Sequence, residues 1–164
     1  MSLKTIVVSL AAFVIVVLGI AILAVGRGSS SKEVVYSTRQ TDRPQAETAQ
    51  TSFDLGEMKV ADERSHDFTL KNVGTRPLQI LSATTSCMCT YGQIIYKGTK
   101  TPEFGMHSPL SQITEIAPGE TASVRVIYRP SEMPVFGAVE REVYLTTNDP
   151  RNPKLVFSIR ANVH

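Results

Sequence analysis

From Ser52 onward, apolar and polar residues alternate with a period of two. Phe68 and Leu70 alternate with Asp67, Thr69 and Lys71; Ala122, Val124, Val126 and Tyr128 alternate with Ser123, Arg125, Ile127 and Arg129; and Leu155, Phe157, Ile159, Ala161 and Val163 are spaced by Ser158, Arg160 and Asn162. Side chains on a strand point to opposite faces in turn, so this pattern marks strands with one face on a core and the other in water. Turn formers fall between the apolar runs at Asn72-Val73-Gly74, Ala117-Pro118-Gly119-Glu120 and Asn148-Asp149-Pro150-Arg151-Asn152-Pro153. The pattern predicts strands near 52–60, 64–72, 78–86, 92–96, 112–116, 121–129, 139–147 and 154–163.

Seven or eight short strands separated by turns predict an all-β, Ig-like antiparallel β-sandwich over 51–164, with a small closed barrel as the alternative. One irregularity stands out. Leu78 and Ile80 share a phase that Leu81 and Ala83 oppose, so a bulge or a change of sheet is expected before Cys87.

The first part of the chain follows a different pattern. Thr5 to Val25 contains no charged residue and is dominated by Val, Ile, Leu and Ala. At ~1.5 Å per residue it is long enough to cross a ~30 Å hydrocarbon core. A cleavable signal peptide is the rival, since Lys4 gives a basic start and Ala24-Val25-Gly26 offers small residues. Its apolar core would be roughly 7 to 15 residues, shorter than this run, which favours an uncleaved anchor over 1–27. The flanking charges lean against export, with Lys4 on one side and Arg27, Lys32, Arg39 and Arg43 on the other. Long domains translocate largely regardless of such charges, so the expected location is a single-pass cell-membrane protein with its C-terminal domain extracytoplasmic. Residues 28–50, with Ser29-Ser30-Ser31 and Pro44, read as a polar stalk.

Composition refines this in one respect. A formal charge of +2 without a Lys/Arg cluster excludes a nucleic-acid partner and leaves the membrane and envelope proteins as expected partners.

The residues with distinctive chemistry are concentrated. Both cysteines lie in Thr85-Ser86-Cys87-Met88-Cys89-Thr90, and Phe104-Gly105-Met106-His107-Ser108-Pro109 follows. In an extended chain Cys87 and Cys89 point to one side and Met88 to the other, where it would pack. Thiolate, thioether and imidazole together suit Cu(I) better than zinc, so the candidate metal ligands are Cys87, Cys89, Met106 and His107. A second reading is thiol–disulfide exchange, because a disulfide between residues two apart closes a small ring that is readily reduced. The third is packing alone, with the cysteines as small buried hydrophobes.

The segments Phe53-Asp54-Leu55-Gly56, Phe68-Thr69-Leu70-Lys71-Asn72-Val73-Gly74, Pro77-Leu78-Gln79-Ile80, Thr85-Ser86-Cys87-Met88-Cys89-Thr90, Ala117-Pro118-Gly119-Glu120, Val126-Ile127-Tyr128-Arg129-Pro130 and Thr146-Thr147-Asn148-Asp149-Pro150 resemble a bacterial domain-of-unknown-function family. Its fold is an Ig-like sandwich related to the Hydin-type (ASH) and PapD-like domains, and the resemblance runs from about Ser52 to Val163. It implies an envelope location and no activity. Two departures are visible: such domains usually carry Gly where this chain has Met88, and the segment from Tyr91 to Ser111 looks longer than usual.

The remaining candidates read as structural. His66 is in phase with Phe68 and is expected to face inward or end a strand; His164 is expected to be an unordered terminus; and Met133 is expected to pack in a loop. Arg125, Arg129, Arg141 and Arg160 are placed on outward faces, available to Glu140 and Glu142. No nucleophile elbow, phosphate loop or His-Glu zinc motif is present, so the chain is not expected to be an enzyme. The expectation is an anchored Ig-like domain that binds copper, with a non-catalytic structural or interaction module of the envelope as the alternative.

Overall fold

The computed structural model describes residues 33–108 and 111–164. The apolar run predicted to anchor the chain (1–27) and the start of the stalk lie outside the described residues. Among the described residues no helix is long and apolar enough to cross a membrane.

The described chain forms a two-sheet β-sandwich. Its ten strands are β1 (Ala46–Glu47), β2 (Ser52–Met58), β3 (Arg64–Asn72), β4 (Leu78–Thr85), β5 (Thr90–Tyr96), β6 (Thr99–Lys100), β7 (Ser111–Ile116), β8 (Thr121–Tyr128), β9 (Gly137–Thr147) and β10 (Lys154–Val163). One sheet has the order β1-β3-β8-β5-β6 and the other β2-β10-β9-β4-β7. All eight predicted strands are present, and the two additions are dipeptides, too short to show any period. The second sheet is mixed, correcting the antiparallel expectation: β2 pairs parallel with β10, Phe53 opposite Ile159. The chain crosses to the other sheet between β2 and β3, so no hairpin forms there. Alternation reports which face is buried, not the direction of the neighbouring strand.

Inward residues of both sheets, among them Phe68, Leu70, Ile80, Val124, Val143, Leu145, Phe157 and Ile159, make one core. The phase change in β4 is a bulge, where the pairing of β4 with both β7 and β9 shifts register between Ile80 and Ser82. His66 stacks on Phe53 and meets Phe68 edge-on, as an inward strand histidine should. His164 is not loose: its N–H donates to Met58 O and its carbonyl accepts from Val60 N.

The arginine expectations divide. Arg125 faces its cross-strand partner Asp67, Arg129 holds Glu63 and Glu103, and Arg160 reaches Glu140. Arg141 departs from the outward placement. It shares the inward phase of Val139, Val143 and Leu145, and its guanidinium lies 5.8 Å from the Tyr128 ring centroid. Its Nη1 donates to Glu140 O, while Arg141 Nε and Tyr128 O–H have no hydrogen-bond partner among the described residues.

The two ends of the sandwich differ in chemistry. At one end the β3–β4, β7–β8 and β9–β10 turns meet the incoming chain in a polar network. Asp149, fully buried, accepts from Arg43 Nη1 at 3.0 Å, Ala46 N at 3.0 Å, Arg151 N at 3.0 Å and Asn152 Nδ2 at 2.8 Å. Asn72 is equally occupied, donating to Arg76 O and Ile116 O and accepting from Gln45 N and Gly74 N. A Cβ on Gly74 would stand 2.4 Å from Arg43 O, so this close approach requires glycine. The segment predicted as a stalk therefore touches the sandwich already at Val34 and Asp42 and is built into it from Arg43, eight residues before the predicted edge at 51. Its polar composition suits a buried hydrogen-bond hub as well as a spacer.

Removing one partner of a buried ion pair costs ~3–5 kcal/mol because the other charge stays buried and uncompensated. Asp149→Ala should therefore lower the unfolding free energy of the full chain by ~3–5 kcal/mol. Urea titration of Asp149→Ala, Arg43→Met and the double variant tests this, with the double costing clearly less than the sum; a loss under ~1 kcal/mol for Asp149→Ala would contradict it.

Candidate functional site

β4 ends at Thr85 and the chain turns through Ser86–Cys89 before β5 begins at Thr90. The turn is well tied: Thr85 Oγ1 donates to Cys87 O, Thr90 N to Cys87 O, Ser86 N to Glu142 O, and Arg129 N to Cys89 O. The cysteines are thus on a turn and not in an extended run, and a disulfide joins them. Cys89 is fully buried and Cys87 is 9% exposed, with Thr90 Oγ1 3.2 Å from Cys87 Sγ and 4.0 Å from Cys89 Sγ. By loop-closure entropy a ring this short contributes about 1.5 kcal/mol, against about 3 kcal/mol for a 15-residue loop, so stability alone explains little of the bond. Met88 is carried outward and is 59% exposed, correcting the expectation that it packs.

Met106 and His107 lie exposed on a neighbouring turn. Thr84 Oγ1 donates to Met106 O at 3.0 Å, Gly105 N donates to Ser108 Oγ, and Gly105 approaches the Tyr91 ring. The loop therefore folds back onto the end of β4. The structure brings Cys87 and Cys89 together and gives their sulfurs to each other. Among the described residues no group of three or more His, Cys, Asp or Glu side chains is placed to hold a metal ion.

What fixes this loop is Phe104, which the sequence reading missed. It pairs with Gly92 across the edge of β5, each N–H donating to the other's carbonyl, and its side chain is fully buried. A Cβ on Gly92 would lie 2.2 Å from the Phe104 ring. A glycine inside a strand pattern is the available signal, since it marks close approach of another group.

The end holding the disulfide also carries exposed apolar side chains. Met133, Val135 and the 70% exposed Phe136 sit in the β8–β9 connection, which begins where Arg129 N donates to Cys89 O. Met133 was expected to pack; exposing it leaves a thioether surface. Ionic groups flank this end: Arg129 lies over the Tyr91 ring between Glu103 and Glu63, which hold its guanidinium protonated even more firmly than usual. Glu132 accepts from the Tyr91 hydroxyl and raises that phenol's pKa.

A second feature lies along the side of the sandwich, where β6 and β7 face each other from different sheets. A groove of about 460 Å³ runs there, with Ile94, Tyr96, Pro102 and Ile113 in its lining and Lys97 and Lys100 at its lip. Tyr96 donates to Glu120, and Glu120 also pairs with Lys97 at 2.9 Å. The β4 main chain sets the polarity of the edge. Gln79 gives its N–H and C=O to Asn148 on the β9 side, so Leu78 and Ile80 bond β7 through Ile116 and Thr114. Ile113 and Glu115 therefore turn their N–H and C=O away from the sheet.

Phe/Trp→Ala changes in a core cost ~3–5 kcal/mol. Phe104→Ala should destabilise the chain by an amount in that range and raise amide exchange at Gly92 and through 101–108. Hydrogen exchange of the variant checks this, and unchanged protection at Gly92 would contradict the role given to Phe104.

Known structures support the fold. The chain is similar to a protein of unknown function from Porphyromonas gingivalis W83, at 20% identity and a TM-score of 0.58, covering 76% of this chain and 50% of that one. It thus spans about half the length of that solved structure. Weaker likenesses include the ASH / PapD-like domain 7 of human CEP192, at 12% identity, TM-score 0.44, covering 82% of this chain and 96% of that domain. Another is the class 5 fimbriae chaperone CfaA, at 16% identity, TM-score 0.41, covering 71% and 55%. No curated protein matches the sequence. The model of one family, described as a protein of unknown function (DUF1573), matches residues 46–163, from the first strand of the sandwich to the last, and the chain belongs to that family.

Proposed function

We propose that this chain is a non-catalytic, Ig-like interaction module that binds an extended segment of another protein along the free edge of β7. The observation carrying this reading is the groove beside that edge, with Ile94, Tyr96, Pro102 and Ile113 in its lining. The outward N–H and C=O of Ile113 and Glu115 can pair with an added strand. Alternate side chains of that strand would then enter the groove, which is how strand addition combines affinity with specificity. Lys100, in the lining beside the Lys97–Glu120 pair, favours a segment with an acidic residue. The other edges suit this less: β1 and β6 are two residues long, and in β2 Arg64 Nη1 already occupies Leu55 O at 2.8 Å. Anchoring through 1–27, a 28–50 tether merging into the domain and an extracytoplasmic location belong to the same proposal and rest on the sequence pattern. Binding of Cu(I) by Cys87, Cys89, Met106 and His107 is a separate reading. It requires the disulfide to be reduced first, because neither sulfur is a thiolate in the structure.

Glu115→Pro removes an outward N–H at an exposed residue and leaves the Leu78–Ile116 and Ile80–Thr114 main-chain pairs in place; it also removes the carboxylate that accepts from Gln79 Nε2 at 3.2 Å, a loss that the control Glu115→Ala shares while keeping the N–H. Cross-linking and pull-down of the full chain from membranes should lose the specific partner at least about tenfold in Glu115→Pro. The Cys87→Ser, Cys89→Ser double variant should retain it. Partners unchanged by Glu115→Pro, in a variant whose thermal midpoint stays within a few degrees of the parent, would overturn the reading.

A further inference from the structure

The disulfide lies away from the β7 groove, at the other functional surface of the sandwich. Three observations meet there. First, the bond closes only the turn 87–89 and so adds little to stability, yet it is held by hydrogen bonds on both sides. Second, Thr90 Oγ1 lies 3.2 Å from Cys87 Sγ and 4.0 Å from Cys89 Sγ, a hydroxyl that can close on a Cys89 thiolate by a small shift once the bond opens. Third, Met88, between the two cysteines, is exposed, and the β8–β9 connection, which starts where Arg129 N donates to Cys89 O, carries the exposed Met133, Val135 and Phe136. The chain enters the sandwich at the opposite end, where Val34 N donates to Gln79 Oε1 and Arg43 meets Asp149, so the disulfide end points away from the entry.

We infer that Cys87–Cys89 is a thiol–disulfide exchange site, and that the apolar surface around it docks a partner protein carrying a dithiol. Cys87 is the sulfur attacked, because Cys89 is fully buried. A partner thiolate bonds to Cys87 Sγ, the Cys87–Cys89 bond breaks, and Cys89 leaves as a thiolate that can accept from the Thr90 hydroxyl. The partner's second thiolate then attacks its own sulfur in the mixed disulfide and releases Cys87. Two electrons pass from the partner, which ends as a disulfide, to the Cys87–Cys89 pair, which ends as two thiols after taking up two protons. A small thiol gains nothing from Met88 or Phe136, whereas a folded partner buries them on contact. The exchange is stoichiometric, one disulfide per chain, and needs no catalytic machinery beyond Thr90.

The test uses the oxidised full chain and two reductants, dithiothreitol and reduced thioredoxin as the protein dithiol, with thiols counted by maleimide mass-tagging. Per thiolate, thioredoxin should reduce the bond at least about tenfold faster than dithiothreitol. A thioredoxin variant lacking its second cysteine should be trapped on Cys87. Met88→Ser, which keeps a Cβ inside the ring, and Phe136→Ser should slow the thioredoxin reaction about tenfold and leave the dithiothreitol rate unchanged, which also shows that the variants remain folded. Thr90→Val should slow both reactions. Thioredoxin no faster than dithiothreitol, adducts at Cys89, or surface variants that keep the full thioredoxin rate would each overturn the inference. Glu115→Pro should leave all these rates unchanged, so the edge reading and the exchange site succeed or fail separately.

Discussion

The architecture depends on burying Asp149. A carboxylate placed in a protein interior is tolerated only when charge and hydrogen bonds surround it, and here the surrounding groups come from two distant parts of the chain. Arg43 and the Ala46 N–H arrive from the N-terminal segment; Arg151 N and Asn152 close the β9–β10 turn around the same oxygens. Beside it Asn72 joins the end of β3 to the β3–β4 and β7–β8 turns. Together they turn a two-residue strand and a polar leader into part of the domain, and they fix the end at which the chain enters.

With that end locked, the binding proposals fall on two surfaces elsewhere on the described domain. The β7 groove is lined by β5 and β6 of one sheet and β7 of the other, and the disulfide end depends on the β4–β5 turn being held by Glu142 and Arg129 main-chain contacts. Neither requires a moving part. Both lie on strands or tightly tied turns, which suits a module that presents fixed surfaces.

The sandwich was largely legible in the sequence because its signal is local: eight strands announce themselves by alternation, and even the β4 bulge appears as a phase change between Ile80 and Leu81. What was hidden is non-local. Asn72 and Asp149 read as ordinary turn formers, yet Asp149 meets Arg43 across 106 positions, and no periodicity reports such a pair. Phe104 stands alone in a loop, and only Gly92 hinted at its place. Arg141 shows the opposite failure: its phase with Val139 and Val143 was visible, and its charge led to an outward placement. Of the candidate site, a bond between Cys87 and Cys89 was among the sequence readings, but the extended run expected to bring them to one side is absent, because the chain turns through Ser86–Cys89. The position of the Met106-His107 loop was not legible, because Thr84 and Phe104 set it through tertiary contacts.

The account's central claim is that the β7 edge is where this domain engages another chain. Photo-cross-linking in intact cells measures that directly, with a photoreactive residue replacing Glu115 on the edge and, separately, replacing Ser123 on the outer face of β8. The account predicts a discrete adduct from position 115 and none from position 123. Adducts of equal yield from both positions, or none from 115 while the chain still captures its partner, would contradict it.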